Sequence, residues 1–247
     1  MRKIAVLPSM LTLANLVCGV HAIRYAADDK LVLAAWMVFL AMVFDALDGK
    51  VARLTGASSR FGAELDSLAD VVSFGIAPGF IVAMQSVATE SEHARLVWLC
   101  AMTYCVCAAL RLARFNVETT LAESSHRFFR GLPSPAAAGQ VVSLIVLHHY
   151  LQERLQIDLV QHFIPTVTFL TGVLMVSRVR YPHVVNLYLD GHHAFADVVF
   201  LAIAALLMAT VKELTLAAAF SAFTAVGLAT AIRQLATRRA EEQEPIF

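Results

Sequence analysis

Leu31 to Arg53 reads LVLAAWMVFLAMVFDALDGKVAR: fourteen consecutive apolar residues run into Asp45, Asp48, Gly49, Ala52 and Arg53. A second stretch follows at once, Gly62-Ala-Glu-Leu-Asp66-Ser-Leu-Ala-Asp70, and leads into another apolar run. Aspartate is among the costliest residues to bury in a bilayer, at about 2.5–3.5 kcal/mol each at a helix centre. Four of them in such surroundings need compensation. A divalent cation is the usual partner for clustered carboxylates, and phosphate chemistry is the usual purpose of such a site.

The rest of the chain sets this motif in a membrane protein. Of 247 residues, 59% are hydrophobic and 15% charged, and the mean hydropathy is +0.69. Soluble domains carry about a quarter charged residues. The formal net charge is +0, which gives no electrostatic footprint for nucleic acid. Cys18, Cys100, Cys105 and Cys107 lie in apolar runs without zinc-site spacing and read as packing. Arg2 and Lys3 precede an apolar run that lacks a small-residue cleavage pattern, so no cleavable leader is expected.

A crossing takes about 20 mostly apolar residues. Eight segments qualify: Ile4–Ala26, Leu31–Leu54, Leu68–Val87, Ala94–Phe115, Pro133–Leu151, Leu159–Val176, Phe195–Val211 and Leu214–Ile232. The expected fold is therefore all-α, a polytopic bundle of about eight transmembrane helices forming one domain over residues 1–247. Lys212 and Glu213 are all that separates the last two spans, as in a tight helical hairpin. With eight spans, fourteen of the 19 Lys and Arg residues fall on the side of both termini and five on the other. The positive-inside bias then puts both termini and the aspartate motif on the cytoplasmic face of the cell membrane.

Asp45 and Asp48, three apart, share a helix face, as do Asp66 and Asp70, four apart. Gly49 and Ala52 beside the first pair, and Gly62 one turn before the second, are small enough to admit a ligand close to the backbone. Hard oxygen donors at this density suit Mg²⁺ or Mn²⁺, with room for two ions. Read without chemistry, DALDG is a turn and DSLAD a helix cap.

The spaced pattern D-x-x-D-G-x-x-A-R, eight residues, then G-x-x-x-D-x-x-x-D resembles the signature of the CDP-alcohol phosphatidyltransferases, and all eight positions from Asp45 to Asp70 match it. Asp66 to Pro78 (DSLADVVSFGIAP), Arg111 to Asn116 (RLARFN) and Phe129 to Pro135 (FRGLPSP) further resemble the phosphatidylserine synthase branch. Together these segments cover roughly the first 140 residues.

The resemblance implies a reaction in which the hydroxyl of L-serine attacks CDP-diacylglycerol, yielding phosphatidylserine and CMP. It implies Asp45, Asp48, Asp66 and Asp70 as metal ligands, with Asp70 also the general base. It assigns Ser9, Thr12, Gly49, Ala52, Arg53, Ser59 and Gly62 to the nucleotide lipid, although relatives often carry Asn where this chain has Ser9. It also implies a homodimer. A serine pocket needs a cation for the carboxylate, for which Arg111 and Arg114 are candidates, with Ser73 and Asn116 adding hydrogen bonds. Arg111 and Arg114 could equally reach lipid phosphates, as could Arg127 and Arg130. His148-His149 and His192-His193 lack ligand spacing to a partner. Two other readings stay open: the same chemistry with choline, glycerol 3-phosphate or inositol phosphate as acceptor, and a divalent-metal transporter.

Overall fold

The computed structural model describes residues 6–56, 59–88, 93–121, 131–177 and 211–241. Every regular element among them is helical. They are α1 (Val6–Ala27), α2 (Leu31–Thr55), α3 (Arg60–Asp70), a π-helical turn (Val71–Ile76), α4 (Ala77–Ala88), α5 (Ala94–Leu121), α6 (Ser134–Leu155), α7 (Leu159–Val176) and α8 (Lys212–Glu241).

Six stretches of helix are long and apolar enough to cross a membrane: Val6–Ala27, Leu31–Thr55, Phe61–Val87, Ala94–Val117, Leu159–Val176 and Lys212–Thr230. These correspond to six of the eight expected spans. The expected fifth span forms a helix, α6, but it is not among the six. It carries Gln140, His148, His149 and a charged last turn. These are tolerable because α6 is enclosed by α2, α4, α7 and α8 rather than by lipid: Ala137, Val141, Ile145 and His148 are wholly buried. The expected seventh span, apart from Val211, and its hairpin lie outside the described residues. So do Arg127, Arg130 and the His192-His193 pair.

The DALDG stretch is not a turn. Helix α2 runs straight through it to Thr55, and Gly56 ends the helix with φ of 60° and its N–H on the Ala52 carbonyl. That left-handed cap is cheapest for glycine. The third span starts earlier than hydropathy suggests. Ser59 caps α3 by accepting from the Gly62 N–H at 3.0 Å. The helix therefore carries Gly62, Asp66 and Asp70 as one amphipathic segment before the apolar run begins.

Small residues set the helix spacing. Ala22, Ala26, Ala34, Ala35 and Ala41 are buried in the core shared by the antiparallel α1–α2 hairpin, which lets the backbones approach. At Gly19, an added Cβ would sit 2.9 Å from the Ser73 Cα and overlap its Oγ. This presses α1 against the π turn. The π turn's altered hydrogen bonding is met by α5: Tyr104 donates to the Phe74 carbonyl at 2.8 Å and Cys105 to the Gly75 carbonyl at 3.4 Å. All four cysteines are free thiols.

Candidate active site

The helix directions bring the start of α1, the end of α2, the start of α3, the end of α5, the start of α6 and the end of α7 to one end of the bundle. Four side-chain bonds tie them together there. Thr12 donates to Asp48, linking α1 to α2, at 2.7 Å. Ser67 donates to Asn116 Oδ1, linking α3 to α5, at 3.0 Å. Arg111 donates to Ser134 Oγ, linking α5 to α6, at 2.7 Å. Arg114 donates to the Val176 carbonyl, linking α5 to α7, at 2.9 Å.

Within this end, Asp45, Asp48 and Asp66 each offer a carboxylate oxygen within 4.8 Å of the others. The first two come from α2 and the third from α3, and the small residues between them let the helices meet. Asp48 is buried and Asp66 half-buried. Asp66 Oδ1 is sealed from solvent without a hydrogen-bond partner. Carboxylates crowded in low dielectric are relieved by a cation or by taking up a proton. The orphaned oxygen and the all-oxygen donor set thus fit a hard divalent ion.

Asp70 stands one turn deeper, outside that trio. It is 8% exposed, interacts electrostatically with Asp45, Asp66 and Asp48, and accepts from Asn15 Nδ2 at 3.2 Å. Sequence reasoning groups all four as ligands; the geometry separates three clustered carboxylates from one that α1 holds.

A cleft of about 150 Å³ opens beside the trio, lined by Pro8, Ser9, Thr12, Asp48, Gly49, Ala52, Ser59, Gly62, Ala63 and Asp66. Six of the seven residues assigned to the nucleotide lipid are in this lining. A Cβ at Gly49 would meet nothing within 4 Å, so the cleft passes freely over the α2 backbone at this point. Arg53 is the exception: it is exposed, lies outside the lining, and its Nε donates back to the Gly49 carbonyl at 3.0 Å.

The four residues considered for serine are spread out. Ser73 is wholly buried, and its hydroxyl donates to the Asn15 carbonyl at 3.0 Å. Asn116 receives Ser67, and Arg114 is bonded to the end of α7. Arg111 points inward. It holds Ser134, interacts electrostatically with Asp70, and keeps a buried Nε with no partner.

Sequence reasoning passed over Asn15 and Ser134. The available signal for Asn15 was its spacing: it lies three residues after Thr12, on the same face of an otherwise apolar helix. Ser134 lies within the FRGLPSP segment that resembles the phosphatidylserine synthase branch, but that resemblance assigns it no role. It reaches the site because Gly131, at φ 91°, turns the chain and docks the Leu132 N–H on the Leu174 carbonyl at 3.2 Å.

An all-helical membrane bundle carrying a carboxylate cluster at the mouth of a small-residue cleft defines a class of integral membrane enzyme acting on a phosphorylated substrate. Comparison with known proteins fixes the class. The family model for the CDP-alcohol phosphatidyltransferases matches residues 5–176, and the chain belongs to this enzyme family. Among its relatives is the CDP-diacylglycerol–serine O-phosphatidyltransferase of Helicobacter pylori, 38% identical over 71% of this chain and 71% of the relative. Proteins of the same description from Methanocaldococcus jannaschii (35% identical, covering 75% of this chain and 78% of the relative) and Bacillus subtilis (33%, 72% and 90%) are also similar. Family membership excludes the transporter reading.

Proposed function

We propose that this protein transfers the phosphatidyl group of CDP-diacylglycerol to the hydroxyl of L-serine, releasing CMP. The observation that carries the reading is the carboxylate trio opening onto the Gly49–Ala52–Gly62 cleft, supported by the descriptions of the relatives above. Serine is chosen over choline, glycerol 3-phosphate or inositol phosphate on those descriptions.

Asp45, Asp48 and Asp66, with Asp70 as the fourth ligand, would hold two ions of Mg²⁺ or Mn²⁺. Bound there, a divalent ion supplies neutralising charge for the pyrophosphate and polarises the attacked phosphorus. The protein's own residues do the rest. Ser9, Thr12, Ser59 and the small surfaces of Gly49, Ala52 and Gly62 receive the cytidine and ribose, and Arg53 meets a phosphate from the rim. Thr12 also fixes the Asp48 carboxylate. Asp70 takes the proton of the serine hydroxyl as its oxygen bonds to phosphorus and the bond from phosphorus to the CMP oxygen breaks. Burial of Asp70 excludes water, which would otherwise compete as nucleophile. Of the four residues considered for serine, Arg111 retains an unpaired donor, and we assign it to the acceptor. Ser73, Arg114 and Asn116 shape that side of the site through the bonds they make to protein.

In this reading the chain is a single domain of eight crossings in the cytoplasmic membrane. Its termini and site face the cytoplasm, a reading supported by the distribution of basic residues, and it works as a homodimer in the lipid phase with no nucleic-acid partner. The test is incorporation of radiolabelled serine into chloroform-soluble lipid by membranes containing the protein. Label should appear only with both CDP-diacylglycerol and Mg²⁺ or Mn²⁺ present. Labelling that ignores the nucleotide lipid, or lipid formed from another alcohol in preference to serine, would overturn the reading.

A further inference from the structure

Pro78 lies in the first turn of α4, directly after the π turn. It has no N–H, so it offers no helical donor to the Phe74 carbonyl four residues back, and its ring crowds that carbonyl. Phe74 is wholly buried, so solvent does not reach it. The donor comes from another helix. Tyr104 of α5, also wholly buried, donates its hydroxyl to the Phe74 carbonyl at 2.8 Å. The next residue, Cys105, donates to the Gly75 carbonyl at 3.4 Å. Tyr104 has no room to retreat. A Cβ added at Gly172 would lie 3.1 Å from the Tyr104 Cα, so α7 backs its main chain. In front, a Cβ at Gly75 would lie 3.2 Å from the Ala108 Cβ, and one at Gly79 would lie 3.1 Å from the Ala101 carbonyl oxygen. These close approaches, one helical turn either side of Tyr104, fix where its hydroxyl stands. From α1, the same π turn is held by Ser73, which donates to the Asn15 carbonyl at 3.0 Å. Asp70 is the residue on which the turn begins, the last of α3 and one turn before Phe74.

We infer that Tyr104 is a positioning residue for Asp70. It acts through the Phe74 carbonyl: by holding the π turn, it sets the angle at which α3 presents the Asp70 carboxylate to the reacting hydroxyl. A π turn takes up one extra residue, and a slip of one residue between π and α bonding turns a helix by about 100°. Asp70 adjoins the turn and feels such a slip first. The carboxylate trio and the cleft are held from further off, by α2 and by the Ser59 cap of α3. The inference rests on the assignment of Asp70 as the base of the proposed reaction, and it adds to that reaction a residue outside the cleft lining.

The test uses the full chain purified in detergent micelles and follows serine-dependent CMP release from CDP-diacylglycerol, with each substrate and Mn²⁺ varied in turn. Tyr104→Phe keeps the ring and deletes the donor. It should lower kcat about tenfold, while both KM values and the half-saturating Mn²⁺ concentration change less than about twofold. Ser221→Ala, which breaks the 3.1 Å bond from Gln140 between α6 and α8, controls for lost stability and should leave kcat unchanged at whatever cost in melting temperature. Asp70→Glu, with its carboxylate already displaced, gives the second reading: adding Tyr104→Phe to it should lower kcat less than about twofold further. Should Tyr104→Phe not fold, Cys105→Ala removes the companion bond to Gly75, and the weaker thiol donor predicts the same split at about threefold. An unchanged kcat, KM values that rise in step with the loss of kcat, or a full tenfold added loss in the Asp70→Glu protein overturns the inference. A wild-type protein that releases no CMP with serine overturns the underlying reaction instead, and this is read before any variant is made.

Discussion

Asp70 carries the sharpest residue-scale consequence. It is buried, bonded to Asn15, and outside the tight trio. Asp70→Asn preserves size and can still accept from Asn15 Nδ2, so the local geometry should survive. The amide cannot take a proton. Turnover should fall by about 10²–10⁴, the usual worth of a general base, while CDP-diacylglycerol binding measured by equilibrium dialysis stays near wild type. An active Asp70→Asn protein would remove the base from the mechanism. At this scale the sequence was most legible where spacing is tied to helix geometry. The intervals 45/48 and 66/70 told which carboxylates share faces. It was least legible for Asn15 and Ser134, whose parts depend on contacts with α3 and α5 that no local pattern records. Arg114 illustrates the same limit: an arginine suited to a carboxylate is instead bonded to the last turn of α7.

Among elements, the contact between α1 and the π turn deserves a direct experiment, because it sets where Asp70 stands. Gly19, Ser73, Asn15 and Asp70 form a chain of close contacts from α1 into the π turn and back. Gly19→Ala would force its new methyl onto the Ser73 hydroxyl. Overpacking of this kind costs about 1–3 kcal/mol. The variant should therefore unfold at lower temperature in detergent and lose activity. Adding Ser73→Ala should restore only part of both, since the Ser73 Cα itself would lie 2.9 Å from the new carbon. Full tolerance of Gly19→Ala would show that the two elements are not tightly docked. The π turn had no signature in composition, since an i→i+5 bond leaves none. The early start of α3 was missed for a different reason. Arg60 to Asp66 is amphipathic rather than apolar, so a hydropathy search for spans begins only at Leu68, whereas the Ser59 cap begins the helix at Arg60.

For the whole molecule, hydropathy alone gave the all-helical bundle, because a bilayer leaves a chain of this composition few other ways to satisfy its backbone. It is least decisive for α6, a helix at the expected place whose enclosure by other helices frees it from the need for lipid-grade apolarity. The proposed orientation has its own test. The α1–α2 turn at Asp28–Lys30 lies at the opposite end of the bundle from the site, and Thr55 lies beside the site. In intact cells, Asp29→Cys should react with a membrane-impermeant maleimide, and Thr55→Cys should react only after lysis. The reverse pattern would invert the topology.

The proposed chemistry depends most on the trio acting as a cation cage, and Mn²⁺ binding reads this without any assay of turnover. Purified protein titrated with Mn²⁺ and followed by electron paramagnetic resonance should remove the free-ion signal in a saturable way. Asp45→Asn together with Asp66→Asn should abolish that uptake while the protein stays folded. Undiminished Mn²⁺ uptake by the doubly substituted protein would show that the trio is not the cation site.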